Sequence, residues 1–253
     1  DWGLGLHFKD AVSHNSLAFH TDSNGPNWPN PPWSTFMLRT LLTNDAFRAR
    51  FINRFADRLN TDLHAPEMLY ELERMYQTLQ PEMPRHLERW RIHSVQWDYD
   101  LKRIRNFLHD RPSYVWDHIQ EMFASGDKRT LQLEASEGGR VELNKNLIIK
   151  QQPFRGQYFE RIPVTLRAIP NYGYQFSHWE GLDYTGQSHE LFLKLDRKEG
   201  YRLKAVFKKF DHPLAGVIHI NEISPNNKKI DIFKIYTKRA VEKCPRWNFN
   251  ESA

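Results

Sequence analysis

Hydrophobic residues recur at helical spacing through the first half of the chain. At 100° per residue, the apolar side chains between residues 43 and 59 fall within an arc of roughly 140°. Ser34 and Thr43 are residues that cap helices well, so they predict helices over 35–42 and 43–59. Comparable stripes predict three more helices, and a short helix is expected to end near Trp90. Of the six helices in all, the fifth ends before Arg111-Pro112 and the sixth begins there.

Two cations interrupt the apolar arc of the second predicted helix. Arg48 and Arg58 both lie inside it. A long cationic side chain at such a position either reaches out to solvent or meets a carboxylate or carbonyl, because an unpaired buried charge is costly. Both interpretations stay open at this stage. In either case the helical block is a scaffold without chemistry of its own.

From Gly126 onward the period changes from helical to alternating. Residues 130–135 and 140–143 flank Glu137-Gly138-Gly139 and predict a β-hairpin. Further alternating runs predict strands at 164–168, 174–179, 191–195 and 203–207. We therefore expect a small all-β domain, and the fold class is α+β and multidomain. In the alternating run around Tyr174 and Phe176, we expect Trp179 to close the core after a bend; a platform for stacking sugars is the alternative.

The remaining stretches are polar or basic. Residues 7–30 are rich in proline, asparagine and glycine and predict a loop, in which Trp28 either packs on the helices or stacks on a ligand. Residues 217–223 predict one more strand, and basic residues without either period follow it. The expected divisions are a helical part over 1–128, a β domain over 129–210 and a strand with a basic tail over 211–253.

Composition and charge restrict the classes of function. The 253 residues are 40% hydrophobic, with a net charge of +5, which suits a globular protein. Basic residues alternate with acidic ones, so we expect no nucleic-acid partner. Cys244 is the only cysteine, which excludes an intrachain disulfide. No run of the sequence is apolar enough for a membrane span.

The first residues carry the one candidate for metal chemistry. Asp1 precedes Trp2 and two glycines, a pattern that suits a carboxylate beside a tight backbone turn. It is interpreted either as a metal ligand next to a phosphate-handling loop or as a frayed terminus. Histidines occur without metal-binding spacing, and no nucleophile motif is present. The chain begins without Met, in what is interpreted as a strand that runs into a loop, so we expect a fragment of a longer protein.

Three stretches in order resemble the C-terminal part of the CotH kinase family, spore-coat-protein-H-like proteins with an atypical protein-kinase fold. They cover roughly residues 1–124: Asp1-Trp2-Gly3 with Asn30-Pro31-Pro32-Trp33-Ser34 and Leu38-Arg39-Leu41-Leu42, then Phe47-Arg48-Phe51-Arg54-Asp57-Leu59-Asn60, and then Pro81-Glu82-Met83-Pro84-Arg85-His86 with Arg89-Trp90. Arg111-Pro112-Ser113-Tyr114-Val115 is similar to the last family helix.

This resemblance implies phosphoryl transfer from ATP to protein hydroxyls. Asp1 matches the position of the family's metal-binding Asp, which holds Mg²⁺ or another divalent metal with ATP. The implied partners are ATP and a protein substrate, and the implied location is secreted or on the bacterial cell surface. The family's nucleotide-covering lobe, phosphate-pairing Lys and catalytic-loop Asp have no counterpart in this chain. The resemblance therefore predicts that this chain is an incomplete kinase domain, inactive by itself.

The second half resembles other surface modules. Residues 129–210 are similar to the internalin-type B-repeat, through Gly156-Gln157-Tyr158-Phe159, Gly173-Tyr174-Gln175-Phe176 and Trp179-Glu180-Gly181. Residues 217–223 look like the first strand of a lamin-tail-type domain. The resemblance implies a β spacer behind the helices. The alternative function is a non-catalytic surface-binding or adhesion protein, whose β domain contacts a glycan or a protein; binding to an acidic polymer is a third hypothesis.

Overall fold

A computed structural model describes residues 10–25, 30–150, 153–181 and 188–209. Within these ranges six α-helices come first, followed by eight strands. The helices are α1 Ser16–Thr21, α2 Phe36–Leu42, α3 Asp45–Leu59, α4 Ala65–Leu79, α5 Met83–Trp90 and α6 Ser94–Phe123, with a 3-10 turn at Gln80–Glu82. The strands are β1 Lys128–Ala135, β2 Gly139–Leu143, β3 Leu147–Ile149, β4 Phe154–Phe159, β5 Val164–Pro170, β6 Tyr174–Glu180, β7 Glu190–Leu193 and β8 Tyr201–Lys209. The α+β class is confirmed.

The N-cap of helix α3 lies one residue later than predicted, at Asn44 in place of Thr43. The side chain of Asn44 accepts a hydrogen bond from the Phe47 N–H at 2.9 Å, and the hydroxyl of Thr43 instead donates to the Thr40 carbonyl. Both residue types cap helices well, so propensity did not separate the two. Arg48 forms an ion pair with Asp45 at 2.6 Å, and Arg58 pairs with Asp62, each partly exposed. The two cations thus reach the surface and find carboxylates there.

The predicted break at Pro112 is wrong. Helix α6 runs through this proline without ending. A proline removes only one helical hydrogen bond, and the neighbouring Arg111 is held by tertiary contacts, since its guanidinium donates to the carbonyls of Val12 and His14 at 2.7 Å each. Part of the predicted loop is also helical, because it contains α1.

The strands form two four-stranded sheets that pack into a sandwich. Their orders are β4-β1-β8-β6 and β3-β2-β5-β7, and only β1 and β8 pair in parallel. Alternate residues of each strand point into one shared core. Its fully buried members include Leu131, Leu133, Val141, Leu143, Val164, Leu166, Leu203 and Ala205.

The predicted hairpin of β1 with β2 is wrong. Strand β1 pairs with β4 and β8, whereas β2 pairs with β3 and β5 in the other sheet. Gly138, with φ of +95°, lies in the turn that carries the chain between the sheets, and a Cβ there would come within 2.0 Å of the Tyr174 ring. Alternation marks the buried residues of a strand but does not identify its neighbours. The strands β3 and β4 were not predicted.

The core interpretation of the aromatic run in β6 is confirmed. An irregularity in register between Phe176 and His178 turns Trp179 inward, where it is buried. Its indole N–H donates to the Ser188 carbonyl at 3.0 Å, and its ring lies 5.5 Å from that of Phe176. A buried tryptophan with a satisfied N–H is a packing residue and does not offer a platform to sugars.

A second core joins the helices to the sandwich. Phe159, at the end of β4, is buried together with Ile52 and Leu59 of α3 and Ile119 of α6. The ring of Trp116 packs edge-on against Phe159 at 5.3 Å. A spacer behind the helices would leave such residues exposed. The sandwich instead packs directly on α3 and α6.

Several apolar helical faces remain open to solvent. Trp33, Phe36 and Met37 are 79%, 62% and 74% exposed. Every residue of α4 and α5 is at least partly exposed, although the apolar stripe of α4 predicts burial. Among the described residues, no helix combines the length and apolarity that a bilayer crossing requires.

Candidate functional site

The predicted metal ligand Asp1 lies outside the described residues, as do Trp28, the strand at 217–223 and Cys244. Within the described ranges, no group of three or more His, Cys, Asp or Glu side chains is placed to hold a metal ion. The described residues therefore do not fit a divalent metal. The assignment of Asp1 stays a prediction from the sequence.

The described part of the chain contains one fully buried carboxylate, Asp57 on α3. One carboxylate oxygen accepts hydrogen bonds from the Asn144 amide at 2.9 Å and the Tyr158 hydroxyl at 2.8 Å. The other accepts from the Asn146 amide at 2.9 Å. A helix, the turn between β2 and β3, and strand β4 thus converge on one side chain.

The β2–β3 turn is built to present its two amides. Asn144 and Lys145 have φ values of 54° and 56°, a left-handed conformation that asparagine tolerates better than most residues. The backbone N–H of Asn144 donates to the Thr165 carbonyl at 2.7 Å, and its side-chain oxygen accepts from the Thr165 N–H at 3.1 Å. These bonds anchor the turn to β5, so the amide of Asn144 is held against the carboxylate.

Two asparagines flank Asp57 on the same face of α3. The amide of Asn53 donates to the Pro163 carbonyl at 2.8 Å. Asn60, just past the helix end, donates to the Gln157 carbonyl and accepts from the Gln157 N–H, both at 2.8 Å. Together the three side chains contact the β2–β3 turn, strand β4 and the residue that precedes β5.

Burial dominates the electrostatics of this site. Desolvation raises the pKa of Asp57, while the hydrogen bonds from Asn144, Asn146 and Tyr158 and the charge of Arg54 act in the opposite direction. Burial also raises the pKa of Tyr158, and the adjacent carboxylate adds to this effect. A carboxylate enclosed by three donors has no access to a substrate. The arrangement can hold elements together, but it cannot do acid–base chemistry on a ligand.

Asp57→Asn is expected to remove a pH-dependent part of the stability while keeping the shape of the side chain. The raised pKa means that the folded state binds the proton more tightly than the unfolded chain, whose value is near 3.8. This contribution is present below that value and is lost as pH rises through the folded pKa. Urea unfolding from pH 4 to 7 should therefore show wild type losing stability relative to the variant. If the free energy of unfolding changed with pH equally in both proteins, the raised pKa of Asp57 would be contradicted. Asp98→Asn, on the exposed face of α6, is the control.

A cleft of about 800 Å³ lies at one end of the sandwich. Arg140, Lys150 and Asn171 line it together with the apolar side chains of Ile148 and Phe154. Neither cation forms an ion pair with another described residue. The cleft has the chemistry to accept an anionic group next to an apolar surface.

The stretches that carry the family resemblance lie in different environments. Asp57 and Asn60 contact the sandwich, and Leu42 is buried against the helices. Trp90 is exposed beside Arg89, whose guanidinium carbon lies 5.6 Å from the ring centre. The role of Asp57 was missed, although one signal was available. With Asn53 and Asn60 it falls within an arc of roughly 60° on the side of α3 opposite the predicted apolar stripe, so three hydrogen-bonding side chains share one face.

One comparison with known proteins finds a family model that matches part of the chain. The family model described as "CotH kinase protein" matches residues 4–115. No curated protein and no solved structure matches the chain significantly. The match covers less than half of the chain and ends inside α6, so it supports a CotH kinase relationship for the helical part.

Proposed function

We propose that residues 1–128 form the C-terminal helical lobe of a CotH-like atypical protein kinase. Its complete form transfers a phosphoryl group from ATP to protein hydroxyls. The observation that carries this proposal is the CotH kinase match over residues 4–115. The order of the motifs from Trp33 to Trp90 agrees with it.

The open apolar faces of the helices support a lobe that packs against more polypeptide. Phe36 and Met37 are exposed in the first turn of α2, and Trp33 is exposed in the turn that precedes it. An exposed apolar patch of this kind on a soluble protein marks a surface that another body covers. In a kinase that body carries the nucleotide-covering lobe and the phosphate-pairing Lys. The 253 residues alone are therefore proposed to be inactive.

The cofactors of the complete enzyme are proposed to be ATP and Mg²⁺ or another divalent metal, with Asp1 as a metal ligand. When bound, such a metal neutralises charge on the transferring phosphates. The described residues contribute no ligand to it, and their role is to form the body on which the site is assembled.

The second half is proposed to be an internalin-type B-repeat domain over 129–210, followed by the start of a lamin-tail-type domain over 211–253. Modules of this type and a spore-coat family both agree with a secreted or cell-surface location. The protein hydroxyl that accepts phosphate is then expected on a surface protein.

The gene extended upstream of Asp1 provides the test. Purified extended protein and the 253-residue chain are incubated with γ-labelled ATP, Mg²⁺ or Mn²⁺, and casein as a generic acceptor. We expect label transfer by the extended protein and none by the shorter chain. Asp1→Ala should lower the rate at least about 100-fold, since a metal ligand is lost. Asp10→Ala, in an exposed turn, is the matched control.

Two outcomes contradict separate parts of the proposal. Full activity of the Asp1→Ala protein removes Asp1 from the mechanism but keeps the kinase. No label transfer by any extended protein, with the helices folded by circular dichroism, removes the kinase.

A second candidate function is non-catalytic binding through the β domain, and the cleft with Arg140 and Lys150 favours it. The whole chain is tested on an array of acidic and neutral glycans. Retention on acidic glycans that is lost in Arg140→Gln/Lys150→Gln, and kept in the exposed control Lys194→Gln, supports this function. Equal retention of all three proteins, or none, overturns it.

A further inference from the structure

We propose that helix α3 and the β-sandwich are joined by a polar clasp, formed by Asn53, Asp57 and Asn60, which makes the sandwich an obligatory packing partner of the helices. The two bodies then open as one cooperative unit. This inference concerns the architecture and does not depend on the proposed reaction.

The spacing of the three residues gives the clasp its direction. They lie at i, i+4 and i+7, so they point from one face of α3. Ala56, on the adjoining strip of the helix, is buried as a member of the sandwich core. A small residue at that place lets the helix backbone approach the sheets closely, which brings the polar side chains within hydrogen-bonding distance.

Asn60 takes the place of a neighbouring strand on β4. Strand β4 is the outermost strand of its sheet, and such an edge presents unpaired N–H and C=O groups. Asn60 satisfies both groups of Gln157 with one side chain. A Cβ on the preceding Gly156 would lie 3.0 Å from the Asn60 side chain, so this glycine leaves room for the contact. The clasp therefore covers this part of the sheet edge.

Asp57 ties the clasp to the interior. Its carboxylate is enclosed and accepts from Asn144, Asn146 and Tyr158. Tyr158 is itself fully buried. If α3 moved away without the sandwich unfolding, these donors would exchange a charged acceptor for water, and Phe159 with its apolar neighbours on the helices would be exposed. Partial separation is thus less favourable than opening both bodies together.

An apolar contact lies beside the polar one. Phe159 follows Tyr158 along β4 and packs into Ile52, Leu59 and Ile119 of the helices. Two successive residues of β4 therefore contact the helices: Tyr158 through its hydroxyl, and Phe159 through its ring. The helices and the sandwich each bury residues of the other.

Hydrogen exchange on the whole chain tests the proposal without any substitution. Amide exchange of α3 and of β4 is followed by mass spectrometry at increasing urea. We expect the two segments to converge on one opening reaction with the same urea dependence. If α3 opens at a lower urea concentration with its own slope while β4 stays protected, the proposal is overturned.

Two substitutions test it from the side of Asn60. Asn60→Ala should speed exchange at least about 10-fold in both α3 and β4, because it leaves the Gln157 groups without partners. Asn60→Asp keeps the acceptor for the Gln157 N–H but places a carboxylate oxygen against the Gln157 carbonyl, so it should speed exchange of the same two segments as well. Asn106→Ala, on the exposed face of α6, is the matched control. Faster exchange confined to β4, or unchanged exchange in both variants, contradicts the clasp.

Discussion

Phe159→Ala is expected to lower the free energy of unfolding by about 3–5 kcal/mol, the range for removing a buried phenylalanine. Phe159 is 1% exposed and lies where α3, α6 and β4 meet. The void would be lined by Ile52, Ile119 and the ring of Trp116, which helices held by the clasp cannot easily close. Urea unfolding followed by far-UV circular dichroism measures the change.

The control for this prediction is Phe192→Ala. Phe192 is 74% exposed on β7, so its removal takes little apolar surface out of a core and should change stability by less than about 0.5 kcal/mol. A loss below about 1 kcal/mol for Phe159→Ala would mean that the joint between helices and sandwich does not carry the packing described above.

Asp57→Ala is expected to lower the free energy of unfolding by about 2–4 kcal/mol at pH 7. The substitution removes the acceptor of three hydrogen bonds and leaves the amides of Asn144 and Asn146 and the hydroxyl of Tyr158 without it. The substitution also removes a buried charge that is costly in the folded state, which offsets part of the loss. We therefore expect a smaller loss in the free energy of unfolding than when one partner of a buried ion pair is removed. The same urea titration measures it.

Tyr158→Phe and Asp98→Ala sharpen this prediction. The first removes one donor and keeps the ring, so a loss of about 1 kcal/mol is expected. In the double variant with Asp57→Ala the two losses should not add, because they remove the same hydrogen bond. Asp98→Ala takes a carboxylate from an exposed helix face and should have almost no effect. Additive losses would show that Asp57 and Tyr158 act independently.

Much of the fold could be predicted because its signals are local. The apolar stripe of α3 depends only on residues within the helix, and Ile52 and Leu59 are indeed buried. The alternating runs of β5 to β8 are confirmed for the same reason. Pro112 was misjudged because its cost is local, whereas the contacts that hold the adjacent Arg111 come from Val12 and His14, nearly a hundred residues away.

The candidate site could be predicted less well. Asp1 was identified through a family resemblance and lies outside the described residues. Asp57 belongs to the same resemblance, but its partners Asn144, Asn146 and Tyr158 are 87 to 101 residues distant. Nothing in the spacing of these residues along the chain indicates that they meet, since only the docking of the sandwich on α3 brings them together.

Side-chain spacing along the chain was enough to predict the helical half, the change to alternation near Gly126, and the likeness of the first half to CotH kinases. These properties follow from side-chain spacing along one element. The placement of β1 and β2 in different sheets and the packing of the sandwich on α3 depend instead on the assembled fold. Strand pairing and burial of a charge depend on which distant groups can satisfy each other's hydrogen bonds, and that is settled only when the elements come together.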